Sequence, residues 1–503
     1  MNWNSAFITV SLCGRLASQC FKIRYGLAYC CLRSCQRAPI GQRFASSGKP
    51  ALRICIVGSG PAGFYTANGL LKGNTECKVD IYDKLPVPYG LVRYGVAPDH
   101  PEVKNVINQF STLAENERCE YVGNVEVGKH ISVTELLQAY DVVVLSYGAE
   151  ADKCLNIPGE ELTGVYSARS FVGWYNGLPQ DTHLNPDLSG ETAVVIGHGN
   201  VALDVARILI TPTSILKKTD ITQHALDALL KSSLKKVYII GRRGPLQVAF
   251  TIKELREMSK LPGCRSELNP LDFEGLQEKL SDLPRARKRL TELMINTAQE
   301  SPSMSADLSG KAWALKFLCS PVEILPCEKD SGRVGGIRLA VNKLKVVNGK
   351  EEAVPTGETE DIPCSLVLRS IGYKSLSLDA SVPFDEHRGV IRHSEGRVTE
   401  VKGLYCSGWV KRGPTGVILS SLNDGRETAK TILRDLSDGS LDIRGDKQGW
   451  DQVAQVLIDR GTRPVSYADW LKIDAEEKAR GEKKGKPREK LTSVEEMLHY
   501  AFR

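Results

Sequence analysis

Two glycine-rich turns, each entered from an apolar run and left through a helix-forming one, constrain this chain more than any other feature. The first is Gly58-Ser59-Gly60-Pro61-Ala62-Gly63, between Ile54-Cys55-Ile56-Val57 and Phe64-Tyr65-Thr66-Ala67. The second is Gly197-His198-Gly199-Asn200-Val201-Ala202, between Ala193-Val194-Val195-Ile196 and Leu203-Asp204-Val205-Ala206. Strand, tight turn and helix start together present backbone N–H groups and the positive end of a helix dipole to a pyrophosphate. One such motif arises by chance. Two, framed alike, imply two dinucleotides on one chain and an α/β fold of two interleaved Rossmann-like dinucleotide-binding domains.

The strand after each turn separates the nucleotides. Lys78-Val79-Asp80-Ile81-Tyr82 ends in Asp83, a carboxylate placed to accept hydrogen bonds from ribose hydroxyls. Lys236-Val237-Tyr238-Ile239-Ile240 runs instead into Gly241-Arg242-Arg243. Two guanidinium groups suit a 2′-phosphate through charge and fork geometry, where an acid would repel it. The second site therefore reads as NADP(H). Its third motif position is Ala202, which the fingerprint tolerates.

The expected organisation places a first nucleotide-binding part at 48–150, closing on the strand Asp141-Val142-Val143-Val144-Leu145. An inserted NADP-binding domain follows at 151–369, strand-rich around 337–347, and the first domain resumes at 370–503. Leu404-Tyr405-Cys406-Ser407-Gly408-Trp409 reads as the last strand, and residues 416–433 as a helix after Pro414-Thr415. The charged segment 478–490 reads as a solvated linker to a final helix.

Charge is uneven along the chain. The formal net charge is +6, yet residues 1–49 hold seven Lys or Arg and no acid precedes Glu76, so the remainder sits near −1. An acid-free leader with Arg, Ser and apolar residues, ending near Arg43-Phe44-Ala45-Ser46-Ser47, reads as a mitochondrial presequence over 1–47. No run approaches the roughly 18 apolar residues that span a bilayer, so any membrane attachment is expected at a surface. Of 14 cysteines, five fall in the leader and nine are scattered without a CxxC pair. That pattern suits a reducing compartment, and it provides neither a dithiol nor an iron–sulfur ligand set, so electrons must leave to an external acceptor.

Three further segments carry chemistry. Residues 90–101 (Gly-Leu-Val-Arg-Tyr-Gly-Val-Ala-Pro-Asp-His-Pro) are too rich in Gly and Pro for regular structure, and as a loop they could cover a flavin ring. Gly408-Trp409 and Gly413-Pro414-Thr415-Gly416-Val417-Ile418 offer an aromatic face beside a helix N-terminus, which would stabilise negative charge on a reduced ring. Arg285-Ala286-Arg287-Lys288-Arg289 concentrates positive charge in an otherwise near-neutral body, with Arg285 and Arg289 on one helix face. It is short and lacks interleaved aromatics, which argues against nucleic acid.

The stretch Val57-Gly58-Ser59-Gly60-Pro61-Ala62-Gly63-Phe64-Tyr65, the segments 90–101, 197–207, 242–258 and 409–418, and the tail Pro487-Arg488-Glu489-Lys490-Leu491 resemble mitochondrial ferredoxin (adrenodoxin) reductases, from about residue 50 to 503. The resemblance implies that NADPH gives a hydride to FAD and that single electrons pass to an acidic 2Fe–2S ferredoxin, serving P450 steroid hydroxylation, cluster assembly or haem synthesis. It implies FAD contacts at Gly58, Gly60, Ala62, Gly63, Asp83, Leu91, Val127, Trp409, Gly416, Val417 and Ile418. It implies NADPH contacts at His198, Gly199, Asn200, Val201, Arg242, Arg243, Glu254 and Gly416, and ferredoxin contacts at Arg285 and Arg289. The family commonly has Glu at Asp83 and Gln at His198. His100 and Asp204 resemble a family pair proposed to assist electron transfer or domain contact, although Asp204 by itself reads as a helix-start charge. The expected location is the mitochondrial matrix, with peripheral inner-membrane association the other option, and the expected state is a monomer.

Alternatives stay open on sequence alone. A flavin monooxygenase pairs the same two motifs, a glutamate-synthase-like small subunit shares the architecture, and a non-catalytic nucleotide-sensing scaffold would keep only the binding.

Overall fold

The computed structural model describes residues 51–300, 310–441, 443 and 445–503, so the presequence reading over 1–47 lies outside the described residues. The apolar run at the start forms β1 (Arg53–Val57), whose Ile54, Cys55 and Ile56 are wholly buried, as expected of a central parallel strand covered on both faces. Helix α1 (Pro61–Gly73) begins with proline at N1, where a missing N–H costs nothing. Then come β2 (Lys78–Tyr82), β3 (Cys119–Val122) and β4 (Val142–Leu145).

The second sheet starts with β5 (Val165–Ser167) and α2 (Ala168–Asn176), followed by β6 (Thr192–Ile196), α3 (Asn200–Ile210) and β7 (Lys236–Ile240). Next are α4 (Ile252–Ser259), β8 (Cys264–Ser266), α5 (Arg285–Glu300) and β9 (Lys311–Lys316). The long strands β10 (Cys319–Cys327), β11 (Asp330–Val347) and β12 (Lys350–Pro363) make a separate antiparallel sheet, and β13 (Leu366–Arg369) rejoins the parallel one. The short strands β14 (His393–Ser394) and β15 (Arg397–Val398) lead into β16 (Leu404–Cys406).

Strand order in the first sheet is β14-β15-β16-β4-β1-β2-β3 and in the second β5-β13-β6-β7-β9-β8. The α/β class with parallel sheets is as the two fingerprints imply. Both sheets belong to one compact unit. The chain crosses between them at Ala151–Asp152 and again at Tyr373–Lys374, and the two crossings pair antiparallel. Alternate residues of β1 feed two cores: Ile54 and Ile56 join Phe64, Val79 and Val144, while Cys55 and Val57 join Val122, Val143 and Leu145. The nine body cysteines are free; six are buried and Cys154 is exposed.

Local structure corrects four expectations. Residues 90–101 are not irregular throughout: Gly90, at φ +49°, turns the chain into one helical turn, Leu91–Tyr94, and Pro101 starts another. The last strand stops at Cys406, and Trp409 instead opens the short helix Trp409–Arg412 after Gly408 at φ +74°. Helix α6 runs Ile418–Ser437, starting and ending later than 416–433.

The largest correction concerns the tail. Helices α7 (Tyr467–Lys483) and α8 (Val494–Ala501) flank a segment in which Lys486, Glu489 and Lys490 are buried, not solvated. Lys490 Nζ donates to Asn176 Oδ1 at 3.2 Å and lies 3.1 Å from Asp220, an acid it shares with Lys104. Lys486 Nζ donates to the Ile221 carbonyl at 2.6 Å, and Glu489 accepts from the Gln223 amide at 2.9 Å. Meanwhile Trp470, Leu491 and Met497 pack into the core of the first sheet. The tail therefore ties both halves, and buried lysines are tolerated because each ammonium finds an oxygen partner.

Candidate functional site

Both fingerprints form the turns their sequences require. Gly58 sits at φ +108°, and a Cβ there would meet the Ser146 carbonyl oxygen at 2.6 Å. Gly197 sits at φ +127°, with the Ser370 carbonyl in the way of any side chain. At the second glycine of each motif, Gly60 and Gly199, nothing lies within 4 Å of the Cβ position. These are open cradles in front of helix N-termini whose first turns carry no acid and no side-chain cap, which fits a pyrophosphate. The third positions differ: a Cβ on Gly63 would overlap the Gly58 carbonyl, whereas Ala202 is accommodated fully buried.

A cavity of about 590 Å³ runs from the first loop to the second. Gly58, Gly60, Ala62, Asp83, Leu91 and Val127 line it from the first half, with Trp409, Gly416, Val417 and Ile418. Asn200, Val201, Asp204 and Glu254 line it from the second, and His100 reaches it from the loop between. Gly148, with open space at its Cβ position, widens the wall. The volume falls within the roughly 300–1,000 Å³ usual for cofactor sites.

Asp83 accepts from Ser59 N at 3.0 Å, Ser59 Oγ at 2.5 Å and Leu85 N at 3.0 Å. Burial raises its carboxyl above the usual range, and the Ser59 and Leu85 donors oppose that. The shorter acid thus braces the glycine loop itself and presents its remaining lone pair to the cavity. Beyond it, Lys84 pairs with Glu150, and both line the same wall. At the other end, Trp409 and Tyr373 form an aromatic corner with ring centroids 5.5 Å apart, next to the uncapped N-terminus of α6.

His198 is turned away from the cavity. Its Nε2 donates to the Ile239 carbonyl at 3.1 Å, and its ring meets Phe317 and Phe250 edge-on. Burial lowers its pKa to about 4, so it is neutral, and its ring packs into the protein rather than into the cavity. Arg242 and Arg243 follow β7 at the strand end beside the second glycine loop, both exposed. Gly63, His198, Gly199, Arg242 and Arg243 flank the cavity without lining it. Arg285 and Arg289 stand apart, exposed in the first turns of α5, while Arg287 donates to the Val248 carbonyl at 2.8 Å. Cations at a helix N-terminus oppose its dipole, so this placement does nothing for helix stability.

His100 and Asp204 make no direct bond but lie within 4.8 Å of each other in a cluster that sequence reading missed. His100 Nε2 lies 2.7 Å from Glu257 and 4.0 Å from Glu254. Arg207, on α3, joins Asp99, Asp204 and Glu254. Burial, reinforced by Asp204, raises Glu254 to about 7. His100, Asp204 and Glu254 offer ligand atoms within 4.8 Å of one another, but the adjacent guanidinium already supplies the positive charge a metal would bring. Tyr373, Lys84 and Glu257 carried no local signal, whereas Arg207, three residues after Asp204, had a helical-spacing one.

Two strand–turn–helix units opening on one cavity define an oxidoreductase of the class that pairs a flavin with a pyridine nucleotide. Residues 52–257 match the family model described as pyridine nucleotide-disulphide oxidoreductase. The chain is 58% identical over 453 residues to the mitochondrial NADPH:adrenodoxin oxidoreductase of Salvelinus fontinalis, covering 89% of this chain and 91% of that protein. The Homo sapiens protein of the same name is 58% identical over 450 residues, 89% of this chain and 91% of its own length. The solved structure of Mycobacterium tuberculosis FprA in complex with NADPH matches with a TM-score of 0.85 at 41% identity, over 90% of this chain and 100% of that one. The chain belongs to the NADPH:adrenodoxin oxidoreductase family. That membership sets aside the monooxygenase, glutamate-synthase-like and scaffold readings.

Proposed function

We propose that the chain is a mitochondrial NADPH:ferredoxin oxidoreductase in which residues 48–150 and 370–503 hold FAD and residues 151–369 hold NADPH. The observation that carries this is one cavity that runs from the first glycine turn, at Gly58 and Gly60, to Asn200 and Val201 at the start of α3. When bound, NADPH and FAD would supply hydride transfer and single-electron release, chemistry that belongs to the cofactors themselves. The chain's own residues bind and orient. Gly60, Ala62 and the α1 N-terminus hold the FAD pyrophosphate, Asp83 takes the ribose, and Leu91 and Val127 pack against the cofactor. Trp409 with the Gly416-Val417-Ile418 amides borders the ring, where an uncapped helix N-terminus favours negative charge. Gly199, Asn200, Val201 and the His198 backbone hold the NADPH pyrophosphate, and Glu254 and Gly416 border the nicotinamide.

Arg242 and Arg243 take the 2′-phosphate. Each charge-assisted hydrogen bond is worth about 1.5–3 kcal/mol. Arg242→Ala with Arg243→Ala therefore lowers kcat/KM for NADPH by roughly 100-fold or more and leaves NADH almost unchanged. Steady-state rates with both nucleotides check this; equal losses would place the 2′-phosphate elsewhere.

The acceptor is an acidic 2Fe–2S ferredoxin docking on Arg285 and Arg289. In a body near −1, exposed arginines at an electrostatically unfavourable helix end are explained by a partner rather than by folding. Arg285→Glu with Arg289→Glu weakens ferredoxin-dependent cytochrome c reduction by about tenfold or more at low salt and flattens its salt dependence. Flavin content and NADPH affinity stay intact. Flavin reduction by NADPH together with cytochrome c reduction that does not depend on ferredoxin in the unmutated chain would overturn the acceptor assignment. The matrix, as a monomer, is the proposed setting, with any inner-membrane association peripheral; no helix among the described residues is long and apolar enough to cross a membrane.

A further inference from the structure

Arg207 is 2% exposed and stops short of the cavity wall, yet it holds two of the groups that form that wall. Its Nε and Nη2 fork onto the Asp99 carboxylate at 2.6 and 3.0 Å, across the seam between the two halves. Nη2 also donates to Asp204 Oδ1 at 2.7 Å, and Nη1 reaches Glu254 Oε2 at 3.4 Å. One guanidinium therefore joins three carboxylates from three segments: the loop before His100, helix α3 and helix α4.

The other charged groups facing this cluster are few. His100 Nε2 meets Glu257 at 2.7 Å, and Lys253, on the outer side of α4, lies 3.8 Å from Glu257 and 2.8 Å from Glu102. The Tyr175 and Tyr373 phenols, pushed up by burial and by Asp204, stay neutral. Asp99, Asp204, Glu254 and Glu257 thus crowd around one buried permanent cation and one histidine.

We propose that Arg207 is a positioning residue for the nicotinamide end of the site: it orients the Asp204 and Glu254 carboxylates toward the nucleotide and, through Asp99, locks the His100 loop of the opposite half into the same frame. The proposal rests on the reading of the cavity as an NADPH-to-FAD site. A guanidinium suits the task because its planar fork can hold one carboxylate bidentately and still reach two others, which a lysine ammonium cannot do at fixed geometry. The same group sets local charge. Burial and Asp204 raise Glu254 while Arg207 and His100 oppose the rise. Without the guanidinium, Asp99, Asp204 and Glu254 face one another uncompensated, and Glu254 keeps its proton to higher pH. Neutralising Asp99 has the opposite sign, because the undiminished cation then serves fewer acids.

The test is equilibrium binding of NADP⁺ to the flavin-loaded chain by calorimetry between pH 6 and 9. The unmutated chain changes affinity around pH 7, where Glu254 titrates. In Arg207→Gln the midpoint moves up by roughly one unit or more, and in Asp99→Asn it moves down. Arg207→Lys weakens binding about tenfold but moves the midpoint little, since charge is kept and the fork is lost. Binding of 2′,5′-ADP, which lacks nicotinamide, keeps one pH profile throughout, which separates Glu254 from the 2′-phosphate's own titration. Midpoints that stay in place, or that move the same way in Arg207→Gln and Asp99→Asn, overturn the proposal and leave Arg207 a structural tie. If Arg207→Gln does not fold, Asp99→Asn and Arg207→Lys carry the same decision. Failure of the unmutated chain to bind NADP⁺ would instead remove the site reading itself, and this role with it.

Discussion

Glu477→Ala destabilises the folded chain by about 3–5 kcal/mol, the cost of leaving a buried charge without its partner. Glu477 is 0% exposed; one oxygen pairs with Arg93 and accepts from the Leu491 amide at 2.9 Å, and the other accepts from Arg488 at 3.0 Å. Arg93 cannot swing to water, because its guanidinium lies 5.0 and 5.1 Å from the Tyr94 and Trp470 ring centroids. The measurement is the denaturant midpoint of the flavin-loaded chain. A shift no larger than that of an exposed pair would show that water reaches Arg93. Lys490→Met is the contrast. Burial pushes the Lys490 ammonium down to about 7, with Lys104 and Arg93 adding to the fall and Asp220 opposing it. The unfolded chain holds that proton up to the ordinary lysine value near 10.5, so between about 7 and 10.5 this group's contribution to stability rises with pH. Replacing it leaves Asp220 paired with Lys104 alone, and the expected change at neutral pH is neutral to stabilising.

Gly63→Ala and Gly60→Ala separate folding from cofactor affinity within one motif. Alanine has the better helix propensity by about 1 kcal/mol. At Gly63 that gain is overwhelmed, because the added Cβ overlaps the Gly58 carbonyl and overpacking against backbone costs about 3 kcal/mol. The expected result is chain that purifies with little flavin and a lowered melting temperature. At Gly60 nothing lies within 4 Å, so the apo chain keeps its stability. The methyl there enters the space assigned to the pyrophosphate, and FAD affinity falls by roughly tenfold or more, since the phosphate can no longer approach the backbone. Unchanged FAD affinity in Gly60→Ala would refute the assignment of Gly60 to the phosphate.

Much of the candidate site was legible because its parts are contiguous. A run such as Ile54-Cys55-Ile56-Val57-Gly58 sets strand, turn and helix start within a few residues, and Asp83, Arg242 and Arg243 come directly after the strands that position them. The structure places Asp83 on the cavity wall and the arginine pair at the strand end beside the second loop. Residues 90–101 mislead because Gly and Pro serve as helix punctuation there, at a turn and at an N1 position, rather than as breakers.

Features that depend on distance could not be read. Arg207 and Asp99 stand 108 residues apart, and Arg93 and Glu477 stand 384 apart. No local pattern marks such a charge as buried and paired. The tail has the composition of a solvated linker, and becomes a two-sided tie only when folding supplies oxygen partners for Lys486 and Lys490. The direction of the His198 imidazole is equally hidden, since the Ile239 carbonyl and the Phe250 and Phe317 rings that capture it belong to other segments. The amino-acid order alone determined two strand–turn–helix glycine turns and the charge that follows each second strand, because backbone conformation and adjacent charge are local properties. Only the tertiary structure decided which buried charges meet and hold the two halves together, because desolvation and ion pairing depend on what packs against a side chain, not on its neighbours in sequence.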